Sequence, residues 1–300
     1  MRRSRDTNVK PRGRLARRRF PTTLGSWQLV RLLGEGTWTE VYQARPKDSR
    51  DDAAADYTVK VLKADCQEDA LAIELLQREA FVAQQVLNSH LASVLSAHVD
   101  RSPRYLVFPF LEGVTVRNAL QAVGHVGVPH ALWIARQVTS ALDALHGCGW
   151  LHGDIKPENV LIAKSGHATL LDLGLARSLR SPSSQRDVLA GSLAYAPPEA
   201  FNPNVPFSPA SDIYSLGILL FEMLTGRRPF AEQDAVELAA AHLVKPAPDP
   251  RCCMSQIPAS VARLVRRMLA KEPLRRPATA ELHDLLAASE IETFELRACG

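Results

Sequence analysis

The sequence predicts an α+β chain of two lobes: a small one rich in strands with one helix, and a larger one built mostly of helices. Three observations point there. Apolar positions alternate early in the chain, at Trp27, Leu29 and Leu33, and β-formers crowd the runs Tyr57–Leu62 and Tyr105–Phe110. Later the apolar residues recur at helical spacing, as at Leu132, Ala135, Val138, Leu142 and Leu145. Finally, 300 residues, 46% of them apolar, outgrow the simplest single core and can bury a large interior.

Composition narrows the setting. No run approaches the ~20 apolar residues a membrane helix needs; Ile213–Leu224, the longest candidate, is interrupted by Ser215 and Glu222. Cys66, Cys148, Cys252, Cys253 and Cys299 follow neither a disulfide nor a zinc spacing, so a reducing, cytoplasmic setting without an integral membrane segment is expected. The net charge of +4 hides an asymmetry, because residues 1–19 carry +8 and the remainder −4. Residues 1–23 lack apolar periodicity and contain Pro11, Gly13 and Pro21. They predict a disordered basic tail that charge alone could bring to an anionic partner, and its lack of an apolar h-region excludes a secretory signal.

The elements follow in order. Trp27 to Leu33 reads as a strand, Gly34-Glu35-Gly36-Thr37-Trp38-Thr39 as a glycine-bearing turn, and Val41 to Ala44 as a second strand. Glycines there let backbone N–H groups approach phosphate oxygens, although ordinary hairpins carry glycines too. A polar loop at 46–55 leads to the strand Tyr57–Leu62, with Lys60 set among β-formers. Glu68 to Leu87 has a helical apolar period and holds two candidate inward carboxylates, Glu74 and Glu79. These lie about 140° apart around the helix, so only one of them can face Lys60. Val94–Val99 and Tyr105–Phe110 predict two more strands, turned at Asp100–Pro103. Helices are expected at Val116–Val123, Pro129–His146, Asp212–Glu222, Asp234–Leu243, Ser260–Ala270 and Ala280–Ala288.

Chemistry concentrates between residues 150 and 174, WLHGDIKPENVLIAKSGHATLLDLG. Val160–Ile162 and Ala168–Leu171 predict a hairpin turned at Ser165-Gly166. Such a hairpin brings Asp154 and Asn159 near Asp172. Two carboxylates and an amide, with no cysteine or spaced histidine, suit a hard cation such as Mg²⁺. A carboxylate not committed to metal could take a proton from a hydroxyl. Taken singly, each of these residues fits an ordinary solvated turn better than a catalytic role.

Together, His152-Gly153-Asp154-Ile155-Lys156-Pro157-Glu158-Asn159 and Asp172-Leu173-Gly174 resemble the catalytic loop and metal-binding triplet of eukaryotic-type Ser/Thr protein kinases, in their bacterial form. The family has Arg where this chain has Gly153, Phe where it has Leu173, and usually Gly where it has Thr39. The resemblance implies a protein kinase domain over residues 24–288, with a small lobe to about 108, a hinge at 109–113, a large lobe beyond, and a short tail at 289–300. It implies transfer of the ATP γ-phosphoryl group to Ser or Thr of a protein substrate, with Asp154 as base and Lys156 neutralising charge on the moving group. Asn159 and Asp172 would hold Mg²⁺. Lys60, positioned by Glu79, would grip the α- and β-phosphates beneath a flap of Leu33, Gly34, Glu35, Gly36, Thr37, Trp38, Thr39 and Val41. The Pro109 carbonyl and the Leu111 backbone would read adenine, behind which Phe108 stands guard.

Further matches extend the resemblance. Gly191-Ser192-Leu193-Ala194-Tyr195-Ala196-Pro197-Pro198-Glu199 is similar to the family's substrate-docking segment, which small-molecule kinases of this fold generally lack. Glu199 would pair with Arg276, or alternatively Arg275, and Asp212 would bind the backbone of the catalytic loop. Gly153 cannot bind a phosphorylated activation-loop residue as Arg does, so phosphorylation at Ser181, Ser183 or Ser184 is expected to be dispensable. Thr39 and Gly153 keep a catalytically weak scaffold open as an alternative, alongside a small-molecule kinase.

Overall fold

The small lobe is a six-stranded antiparallel sheet closed on one side by a helix. Its strands are β1 (Thr23–Leu24), β2 (Trp27–Glu35), β3 (Thr39–Pro46), β4 (Tyr57–Leu62), β5 (Ser96–His98) and β6 (Tyr105–Pro109), in the order β1-β2-β3-β4-β6-β5. This is a computed structural model, and it describes residues 23–50, 52–180 and 193–294. The period of two along β4 sorts its side chains. Val59 and Val61 join Leu29, Tyr42, Ala44, Tyr105 and Val107 in one cluster. Leu62 faces the other way, onto Leu106 and the Ala72, Leu76 and Ala80 stripe of α1 (Ala70–Gln85). Lys60 has the parity of Leu62, so the strand aims it at α1. Asp69 caps that helix by accepting the Ala72 N–H.

The strand expected at Val94–Val99 is shorter than its β-formers suggest, covering Ser96–His98 alone. The preceding chain is held by the large lobe instead: Leu170 donates to the His90 carbonyl at 2.8 Å, and Ala92 donates to the Leu170 carbonyl at 3.0 Å. The chain is therefore free to join the sheet only from Leu95, whose N–H reaches the Val107 carbonyl.

In the large lobe, α2 (Val116–Val123) and α3 (Val128–Gly147) lead through β8 (Trp150–Leu151) into the catalytic loop. Strand β9 (Val160–Ile162) pairs with β10 (Ala168–Leu170) as the predicted hairpin, and with β7 (Val114–Thr115) on its other side. Strand β11 (Arg177–Ser178) pairs back onto β8. Helix α4 (Pro209–Thr225) runs through the core, buried continuously from Ser211 to Thr225 and opened by a Ser208–Ser211 capping box. A Cβ at Gly217 would stand 2.9 Å from the Met268 Cβ, so glycine is what lets α4 and α6 (Ala259–Met268) meet. Helix α5 (Ala235–Val244) and α7 (Thr279–Glu292) complete the lobe. The last helix outruns its expected end at Ala288 because Ser289 and Glu290 are buried, and Glu290 pairs with Arg136 at 2.7 Å. The expected tail thus shortens, with residues 295–300 outside the described ones, as are residues 1–22. Among the described residues, no helix is long and apolar enough to cross a membrane.

Candidate active site

One ammonium organises the cleft between the lobes. Lys60 Nζ lies 2.7 Å from Glu79 Oε2 and 2.9 Å from Asp172 Oδ1, joining β4, α1 and the segment after β10. Glu74 is turned to solvent, where it pairs with Arg78, so helix packing selects Glu79. Burial works against the charge on Lys60, yet its two carboxylate neighbours outweigh that and hold its pKa above the usual lysine range. Burial pushes the Glu79 carboxyl up to about 7, against the pull of Lys60 and the Leu173 N–H. Burial also acts on Asp172, but there Lys60, the Gly174 N–H and Lys156 prevail and hold the group at about 2. One lysine therefore serves two unequal carboxylates, and Asp172 is the firmly ionised one.

Asp172 has φ +65°, the only left-handed non-glycine residue among the described ones. Such backbone is costly for most side chains and least so for Asp and Asn, and it gathers at functional sites. Its side chain stays 43% exposed while one oxygen holds Lys60, so the carboxylate faces the cleft.

The loop before β9 supplies the second half. Asp154 is buried, and its Oδ2 accepts from Lys156 Nζ at 2.5 Å and from Asn159 Nδ2 at 3.0 Å. Asn159 Nδ2 also donates to the Asp154 carbonyl, which fixes the amide's donor end and leaves its oxygen as the acceptor available to a ligand. Beneath them, Asp212 accepts the N–H groups of His152 (2.9 Å) and Gly153 (3.0 Å) and the His146 imidazole (2.8 Å). Burial opposes its ionisation, but His146, His152 and the Gly153 N–H overcome it and depress its pKa.

Gly153 has φ +77°, and a Cβ there would meet the Leu175 carbonyl oxygen at 2.5 Å. Arg177 Nε lies 3.5 Å from that same point, and its guanidinium stacks 4.1 Å over Phe207. Ser181, Ser183, Ser184, Gly191 and Ser192 lie outside the described residues. The docking segment beyond them is anchored, because Glu199 binds Arg276 through both oxygens at 2.7 and 2.8 Å. Arg275, the other candidate, pairs with Glu272 at the surface.

Leu33 to Thr37 are exposed at the flap tip, whereas Trp38 turns inward. Val41 sits opposite Lys60 in the β3–β4 register, so the base of the flap and the lysine share one ladder. Pro109 ends β6 opposite Tyr57, and Phe110 donates to the Asp56 carbonyl, which sets the path of the hinge through Leu111.

The model of the protein kinase domain matches residues 27–286 of this sequence. The chain belongs to that family. Its relatives include Serine/threonine-protein kinase PknD of Mycobacterium tuberculosis, 32% identical over 89% of this chain, and Serine/threonine-protein kinase PrkC of Bacillus subtilis, 33% identical over 86%. A third, Probable serine/threonine-protein kinase PknB of Lactococcus lactis, is 31% identical over 82% of the chain. The chain aligns with about two fifths of the length of these relatives, 40% for PknD and 39% for the other two.

Two features of this kinase domain escaped the sequence. Arg117 of α2 donates to Glu158 (2.7 Å), Glu222 (2.9 Å) and the Tyr195 hydroxyl (2.7 Å), tying the catalytic loop, the core helix and the docking segment together. The His146–Asp212 bond is the other. Separations of 41 to 105 residues leave no local signal for either.

Proposed function

We propose that this chain is an ATP-dependent Ser/Thr protein kinase. The single observation that carries the reading is Lys60 bridged between Glu79 and Asp172, within a cleft whose other wall presents Asp154, Lys156 and Asn159. Phosphoryl transfer asks little covalent work of a protein and much positioning of charge. Asp172 and the Asn159 amide oxygen would hold Mg²⁺. They fit it, being a firmly ionised carboxylate and a neutral oxygen with no competing nitrogen or sulfur donor. Bound there, the ion would neutralise phosphate charge. Lys60 would grip the α- and β-phosphates of ATP under the 33–41 flap, and adenine would meet the backbone at Pro109 and Leu111.

Asp154 would accept the proton of the incoming hydroxyl, steadied by Asn159, while Lys156 offsets charge on the transferred group. The docking segment, pinned by Glu199 and Arg276, favours a protein substrate over a metabolite, and the names of the relatives favour Ser or Thr over Tyr. Among the described residues Cys66, Cys148, Cys252 and Cys253 are free thiols, in keeping with a reducing, cytoplasmic setting.

The test is incubation with labelled ATP, Mg²⁺ and a generic basic protein, beside Asp154→Asn. Transfer that falls by about 10²–10⁴-fold in the variant supports the reading. ADP-induced thermal stabilisation should persist in that variant. Nucleotide binding without transfer by the unmodified chain would point to a scaffold, and transfer to a metabolite alone would point to a small-molecule kinase.

A further inference from the structure

The flap is built differently on its two sides. Residues Leu33 to Thr37 are exposed, but Trp38 folds back and packs on the cluster of Leu62, Ala72, Leu76, Ala80 and Leu106. Ala72, Leu76 and Ala80 form one stripe of α1 at intervals of four, and Glu79 is the residue before Ala80. The backbone reinforces the contact: the Lys63 N–H donates to the Trp38 carbonyl at 2.9 Å, and Gly36 donates to the Thr39 carbonyl at 2.8 Å. Lys63 also pairs with Glu35 at 2.7 Å, holding the tip of the turn. Thr39, paired with Leu62 across the strands, is β-branched where glycine would let the Trp38 backbone swing.

We propose that Trp38 is a positioning residue that joins the nucleotide flap to helix α1, so that closing the flap on ATP and setting Glu79 against Lys60 are one coupled event. The inference rests on the kinase reading above. Tryptophan suits the task because its large rigid surface makes a contact that cannot follow two partners moving independently. If α1 moves outward, it uncovers the indole and withdraws Glu79 together. If the flap lifts, it strips the Leu76 stripe of its cover.

The coupling is testable with Trp38→Ala, Trp38→Phe, Glu79→Gln and the double variant Trp38→Ala/Glu79→Gln, measuring kcat/KM for ATP and the KM for peptide. Trp38→Ala should lower kcat/KM for ATP by about tenfold with the peptide KM unchanged, and Trp38→Phe should restore it to within about twofold. In the Glu79→Gln background the alanine substitution should cost about twofold or less, because the group through which it acts is already disabled. Equal losses in both backgrounds would overturn the proposal, as would a phenylalanine variant as poor as the alanine one. Trp38→Leu replaces Trp38→Ala should the latter not fold. A wild-type chain that transfers no phosphoryl group would instead sink the kinase reading, and ADP affinity across the wild type and the same four variants then decides the coupling by the same criterion.

Discussion

Replacing Arg276 by alanine should be among the most damaging single changes in the large lobe. The side chains of Arg276 and Glu199 are 0% and 1% exposed. All five guanidinium N–H groups are committed: two to Glu199, and one each to the carbonyls of Ala210, Ala270 and Lys271. Alanine leaves three carbonyls without that donor and a buried carboxylate whose remaining partner among the described residues is the Ser211 hydroxyl, 2.8 Å away. Breaking a buried pair from one side costs about 3–5 kcal/mol. At ~2–4 °C per kcal/mol for a domain of this size, the melting midpoint should drop by roughly 6–20 °C. Arg275→Ala is the matched control, because its partner Glu272 and the arginine itself are largely exposed. Its midpoint should stay within about 2 °C of the wild type. Urea denaturation and calorimetry on the three proteins measure both quantities. A loss of less than about 1 kcal/mol at Arg276, or equal losses at the two positions, would refute the assignment of the buried pair.

Four further outcomes are expected. With the Glu79 carboxyl raised to about 7, the folded protein keeps a proton there that the unfolded chain releases near its ordinary value of 4.5. Rising pH across that window therefore lowers the group's contribution to stability while ionising the partner that Lys60 needs. kcat/KM for ATP should climb through an inflection near pH 7 that Glu79→Gln abolishes, and a profile unchanged by the substitution would count against the role of Glu79. Asp212 has the opposite sign. Its depressed pKa contributes stability above the unfolded carboxylate range that is lost on acidification, so Asp212→Asn should flatten the acid limb of a stability–pH curve and lower kcat. Gly153→Arg should destabilise the protein, because the Leu175 carbonyl occupies the space of its Cβ, whereas replacing Ser181, Ser183 and Ser184 together by alanine should change initial rates by less than about tenfold.

What the sequence disclosed, and what it withheld, divides along a physical line. Lys60 was legible because a charged residue in a run of β-formers has one parity, and parity chooses its face. Asp154, Asn159 and Asp172 were legible because a short hairpin brings its two ends together whatever surrounds it. The choice between Glu74 and Glu79, or between Arg275 and Arg276, has no such local rule, and before the fold is seen only the family resemblance makes it. Each pair offers the same chemistry a few residues apart, and only the packing of a whole element decides which member turns inward. Arg117 belongs to the same class. Nothing near it in the chain announces Glu158, Tyr195 or Glu222, because its partners are gathered by the fold of four separate segments.

That division bears on how two of the three departures from the family pattern, Gly153 and Thr39, should be read. As letters, Gly153 and Thr39 look like losses, one of a cation and the other of a flexible flap. In the folded chain, Gly153 adopts a backbone that a side chain would force against Leu175, and the Arg177 guanidinium stacks on Phe207 beside it. Thr39 follows Trp38, which packs on the cluster that Leu62 shares with α1, and its pairing with Leu62 holds that residue in place. Neither change removes a group that phosphoryl transfer requires, and Thr39 leaves the flap backbone more constrained. A weakened enzyme would be expected to lose the costly groups first, yet this chain keeps a left-handed Asp172 and a buried, proton-prone Glu79 on one lysine. Without a ligand that needs them arranged so, those two features are strain and desolvation with no return.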